Sequence, residues 1–131
     1  MHRPHLLYLA APYSDPNPVI RLSRYHEANI AAARLIAAGY GVISPLSMGV
    51  TIAASCPGKL GTDWEVWKDT CLRMLERCDA ICILPLPGWE KSIGVQAELE
   101  YARALGLAIC FASFPAEDQV ILTDSAEWGK Q

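Results

Sequence analysis

Asp79-Ala80-Ile81-Cys82-Ile83-Leu84-Pro85-Leu86 is followed by the turn Pro87-Gly88-Trp89-Glu90-Lys91, and the turn by Ser92 to Leu105 at helical spacing. The first segment is apolar throughout. It lacks the alternation of a strand with one wet face, so it reads as a strand covered on both sides. In the helical segment Val95, Leu99, Ala102 and Leu105 mark one stripe, and Gly106 ends it. Leu107 to Ser113 then returns as a further apolar strand. Strand, helix and strand in this order imply parallel neighbours joined by a right-handed crossover.

Upstream, the same alternation holds. His5 to Ala11 is a short apolar run stopped by Pro12 and reads as the first strand. Ser14-Asp15-Pro16-Asn17-Pro18 is loop chemistry, and Pro18 suits a helix start. Apolar residues then recur at helical spacing from about Val19 to Ala38, before Gly39. Tyr40 to Leu46 reads as the second strand, and Ser47 to Thr62 as an irregular loop, of a length more often functional than idle. Asp63 can cap a helix from Trp64 to about Arg77. Beyond Phe114 only Val120-Ile121-Leu122 reads as a short edge strand. The expectation is an α/β domain: a three-layer α/β/α, doubly wound, flavodoxin- or Rossmann-like fold with a mostly parallel sheet of four to five strands. A single domain occupies residues 1–131, with its core at about 6–113. Such sheets bind ligands beyond the carboxyl ends of their strands, where strand order reverses. Those ends are Ala11-Pro12-Tyr13, Pro45-Leu46-Ser47 and Pro85-Leu86-Pro87.

Composition narrows the function classes. With 52% hydrophobic and 19% charged residues, the 131-residue chain can bury a core. Its 11 basic and 14 acidic residues give a net charge of −3 without a basic run, which argues against a nucleic-acid polymer as partner. No apolar stretch approaches the ~20 residues of a membrane helix, and the start runs directly into a strand without a signal-peptide pattern. Five cysteines, most inside apolar patterns, suit a reduced, cytoplasmic protein. No metal is expected: no Cys-x-x-Cys occurs, and His2, His5 and His26 are not at ligand spacing.

Familiar nucleotide motifs are absent. Gly39-Tyr40-Gly41 follows a helix instead of ending a strand, so it cannot seat a pyrophosphate on a helix start. Gly58-Lys59-Leu60 lacks the hydroxyl residue of a phosphate loop. No serine sits in a nucleophile elbow.

The informative stretch is Gly88 to Ala102, which leaves a buried strand and opens a helix. Free amides and the dipole at a helix start attract an anion. Ser92 can cap that helix or donate its hydroxyl to the anion, and Gly94 and Ala97 leave room for a ligand to approach backbone. Glu98 lies four residues after Gly94 on the same side, at the border of the core-facing stripe, whereas Glu100 points to solvent. A carboxylate there is either a nucleophile beside a phosphate-ready helix start or a solvated helix residue.

These residues resemble the nucleoside 2-deoxyribosyltransferase superfamily, which includes enzymes that hydrolyse the N-glycosidic bond of nucleoside monophosphates. Leu7-Tyr8-Leu9-Ala10-Ala11-Pro12-Tyr13 is similar to its first strand and loop, and Cys78-Asp79-Ala80-Ile81-Cys82-Ile83-Leu84 to the strand opened by an Asp. Ser92-Ile93-Gly94-Val95-Gln96-Ala97-Glu98 is similar to its nucleophile segment, and the Gly-Trp-Glu-Lys-Ser lead-in to that of small uncharacterised members. The resemblance implies Glu98 as nucleophile at the anomeric carbon, Tyr8 orienting that carboxylate or the sugar, and Ser92 at the 5′ end. Serine at that place, where nucleoside transferases tend to carry Asp, favours a 5′-phosphate, because a carboxylate would repel it. The resemblance further implies no cofactor and assembly as a homodimer or homotetramer. One position departs: where the superfamily usually has an Asp eight residues before the strand-opening Asp, this chain has Cys71. Asp69 and Glu76 are the nearby acids that would have to substitute. Asp79 itself reads as a local cap.

The expected substrate-binding set is Ser92, Gly94, Tyr13, Pro45 and Trp89, with Glu98 and Tyr8 as the catalytic pair. Trp64, Trp67 and Trp89 flank the expected mouth, with Ser44, Pro45 and Met48 near the base pocket. Arg21, Arg24 and His26 either meet a phosphate or face solvent. The expected function is cleavage or transfer at the N-glycosidic bond of a nucleotide or nucleoside, with 5′-monophosphate hydrolysis favoured. The rivals are a noncatalytic nucleotide-binding or sensing domain and a structural subunit.

Overall fold

The computed structural model describes residues 6–126. The segment read for a signal-peptide pattern, the first residue of the expected first strand, and His2 and His5 lie outside them. Strand β1 (Leu6–Ala10) leads to helix α1 (Pro18–Ala37), then β2 (Gly41–Ile43), α2 (Pro45–Ala54), α3 (Trp64–Leu75) and β3 (Ala80–Ile83). A short 3-10 turn at Trp89–Lys91 precedes α4 (Ile93–Leu105), followed by β4 (Ala108–Ala116) and β5 (Gln119–Asp124). The sheet order is β2-β1-β3-β4-β5. β2, β1, β3 and β4 run parallel, and β5 closes the edge antiparallel to β4. The expected α/β class and doubly wound sheet are therefore observed.

The alternation of β1 builds both faces of the core. Leu7 and Leu9 pack with Ala31 and Leu35 of α1 on one face. Tyr8 and Ala10 turn to the other, against Cys71 and Leu75 of α3 and Val95, Leu99 and Ala102 of α4. β3 is buried on both faces, as its unbroken apolar run requires. Asp79 acts as the expected local cap: its carboxylate accepts from the Leu6 amide at 2.8 Å, and its own amide donates to the Leu6 carbonyl at 2.9 Å.

One segment differs from the sequence reading. The second strand ends at Ile43, and α2 occupies Pro45–Ala54, most of what reads as an irregular loop. Ser44-Pro45 is a helix start: Ser44 stays extended at the N-cap, and Pro45 takes the position whose missing N–H costs nothing. Gly49 lowers the intrinsic helix preference, but its bare face receives the Trp67 indole, whose ring atoms lie 3.6 Å from where a Cβ would stand. Tertiary packing thus overrides a weak local preference.

The loops at the carboxyl edge are tied together by Arg24. Its guanidinium donates to the carbonyls of Tyr13 (3.3 Å), Ser14 (2.9 Å) and Pro87 (2.8 Å), joining the β1–α1 loop to the turn after β3. Arg21 likewise donates to the Asp15 carbonyl. Both arginines are engaged with loop backbone. Gly88 sits at φ 92°, and a Cβ there would stand 2.8 Å from Arg24 Nη2. Gly88→Ala is therefore expected to destabilise the protein by about 1–2 kcal/mol through left-handed strain alone. Urea unfolding checks this.

Candidate active site

A cleft of about 660 Å³, counting its open mouth, lies at the carboxyl ends of β1 and β2 and the start of α4. The sheet order reverses between β1 and β3, so the cleft occupies the switch-point position expected for this fold. Ala10, Ala11, Tyr13 and Ser14 form one side, Pro45, Leu46, Gly49 and Val50 of α2 another, and Thr62, Trp64, Trp67 and Cys71 a third. Ser92, Gly94, Val95 and Glu98 of α4 complete it.

Glu98 is the buried charged residue of the core, only 6% exposed, yet its carboxyl lines the cleft. The sequence placed it at the border of the apolar stripe. The α3–α4 packing carries that border inward, because Val95, Leu99 and Ala102 on the same side are core residues. Tyr8, fully buried, donates its hydroxyl hydrogen to Glu98 Oε2. Burial raises the Glu98 carboxyl to about 7, against a lowering by the Tyr8 hydrogen bond. Burial and the neighbouring Glu98 hold the Tyr8 phenol well above its usual range, so Tyr8 is a fixed hydrogen donor. Tyr8→Phe removes the interaction that lowers Glu98. The expected result is a Glu98 carboxyl that titrates at still higher pH, measured by NMR over pH 5–9.

Cys71 lies in the same cluster, beside Tyr8 and Glu98. Burial raises its thiol to about 11, with Glu98 adding to the rise and Tyr8 opposing it. The thiol therefore stays protonated at neutral pH. Asp69 is exposed, and Glu76 is exposed and accepts from the Tyr101 hydroxyl. Neither acid lines the cleft, so neither takes the place of the Asp that the resemblance expects at position 71.

At the α4 start, Ser92 Oγ accepts from the Val95 amide at 3.2 Å, so it is a cap. That bond uses a lone pair and leaves the hydroxyl hydrogen for a second partner. Gly94 lines the cleft, but its bare face is not open: the Trp64 ring lies 3.3 Å from its Cβ position. The glycine admits an indole there. Tyr13 and Pro45 line the cleft as expected. Trp89 does not; its half-buried ring packs edge-on to Phe111 at 5.3 Å, against the core. Ser44 and Met48 also stand outside the lining, with Ser44 Oγ bonded to Ser47 Oγ at 2.7 Å. The α2 residues Gly49 and Val50 are lining residues that sequence reasoning missed, whereas Leu46 stood among the strand ends it pointed to. Ser44-Pro45 was the available signal for that helix.

The fold and cleft define an α/β protein with an open cleft at the switch point of its sheet. Residues 5–113 match the family whose description is Domain of unknown function (DUF1937), and the chain belongs to that family. No curated protein matches the chain. Among the described residues, no helix is long and apolar enough to cross a membrane.

Proposed function

We propose that the protein cleaves or transfers at the N-glycosidic bond of a nucleotide or nucleoside, as a relative of the nucleoside 2-deoxyribosyltransferases. The observation that carries this reading is Glu98, buried yet lining the cleft, with its carboxyl held by the Tyr8 hydroxyl. A carboxylate so fixed can attack an anomeric carbon from below as the base departs. The oxocarbenium-like transition state then collapses to a glycosyl ester, as in retaining glycosidases. Water or a second base completes the reaction, and no metal or organic cofactor is needed for either half. The free Ser92 hydroxyl hydrogen and the first amides of α4 suit a 5′-phosphate, which favours nucleoside 5′-monophosphate hydrolysis.

The thiol at Cys71 favours one rival, a nucleotide-binding or sensing domain without turnover. Incubation with a panel of nucleoside 5′-monophosphates separates the two. The enzyme reading predicts free base, whereas the sensing reading predicts thermal stabilisation by nucleotide with no base released.

A reducing cytoplasm suits the five free cysteines. A homodimer or homotetramer suits the exposed apolar side of α1. Val19 (71% exposed), Leu22 (57%), Ile30 (51%) and Ile36 (56%) fall within about 120° of arc on that helix.

A further inference from the structure

We infer that the N-glycosides this cleft turns over are those whose base is a cationic heteroaromatic ring, a pyridinium or an N7-alkylated purine, because the cleft pairs one carboxyl with fixed aromatic faces and a thiol. The inference rests on the glycoside-cleaving reading of Glu98 and names its substrate class.

Three observations carry it. First, two indoles line the cleft, each packed on a glycine. Trp67 rests on Gly49 and donates its indole N–H to the Gly61 carbonyl at 2.8 Å, and Trp64 rests on Gly94. A cation is attracted to such ring faces, most strongly where water is excluded. Second, Glu98 is the one carboxyl among the described lining residues, and no lysine, arginine or histidine lines the cleft with it. A positively charged ring above Glu98 neutralises a charge that is otherwise costly to bury. It also favours the ionised, nucleophilic form of the carboxyl, which Tyr8 from β1 and Cys71 from α3 face. Third, the groups beside the reacting carboxyl are the Tyr8 hydroxyl, whose hydrogen is engaged by Glu98, and the Cys71 thiol, pushed to about 11 by burial, and neither is an acid suited to protonate a departing purine or pyrimidine at neutral pH.

A cationic base removes the need for that proton. The C1′–N bond breaks with its electron pair returning to the ring nitrogen, and the base leaves neutral. Glu98 Oε bonds to C1′, so cation and carboxylate become a neutral ester and a neutral base. Water then adds at C1′, restoring the carboxylate and releasing one proton to solvent.

The test compares kcat/KM for base release by the full chain. The probes are nicotinamide ribonucleotide, N7-methylguanosine 5′-monophosphate and guanosine 5′-monophosphate, with the deoxyribosyl form of each purine. The expected ratio of cationic to neutral base is on the order of 10²-fold or more, the usual contribution of a general acid. Cys71→Asp, which supplies an acid, is expected to reduce that ratio at least tenfold, with Cys71→Ser as the folding control that does not. Neutral bases released as fast as cationic ones would overturn the inference and leave the glycosidase reading standing. Release from neither class would overturn both.

Discussion

Glu98→Gln is expected to lower base release by on the order of 10⁴-fold or more while leaving nucleotide binding in place. Glutamine keeps the shape of the side chain and can still accept the Tyr8 hydroxyl hydrogen, so the packing around position 98 is preserved. What it loses is the ability to form a stable ester with the anomeric carbon. Removing the nucleophile of a covalent mechanism costs about as much as removing the whole catalytic set. Base release followed by chromatography, beside titration of the same nucleotide by calorimetry, separates the two effects. Equal losses of binding and turnover would instead assign Glu98 to substrate binding alone.

The same substitution is expected to make the protein more stable at alkaline pH. Below the ordinary glutamate value of 4.5, folded and unfolded chains both hold a proton at position 98. Between 4.5 and about 7 the unfolded chain releases that proton and the folded chain keeps it. The folded state therefore binds more protons across that window, and stability falls as pH rises through it. The accumulated loss is about 3 kcal/mol. Glu98→Gln abolishes this fall, so the variant should match the wild type near pH 4 and exceed it near pH 8. Urea unfolding at both pH values measures the difference, and parallel pH profiles would refute it. A buried carboxyl that weakens the fold is the trade expected of a residue kept for chemistry.

The fold was legible wherever local chemistry and packing agree. Pro18 at a helix start, Gly39 and Gly106 just past helix ends, and the unbroken apolar run of β3 each announced the element observed. Helix α2 was obscured because Gly49 reads as a loop residue, while its actual role is to receive the Trp67 ring from a helix almost twenty residues away. The site was legible along α4, where spacing places Gly94 and Glu98 on one side of a helix that Ser92 caps. It was not legible across elements. Trp64 closing over Gly94 and Cys71 meeting Tyr8 and Glu98 depend on how α3 and α4 pack, and Trp89 turning to Phe111 on how the turn after β3 meets β4. No local pattern encodes that distance.

The covalent step is tested most directly by mass spectrometry of the protein quenched during reaction with a 2′-fluoro nucleoside 5′-monophosphate. Fluorine withdraws electrons from the oxocarbenium-like transition state and slows the loss of the ester. A mass increase equal to the fluorinated sugar phosphate, on the peptide that contains Glu98 and absent from Glu98→Gln, is the predicted result. A stoichiometric burst of free base with that peptide unmodified would contradict it.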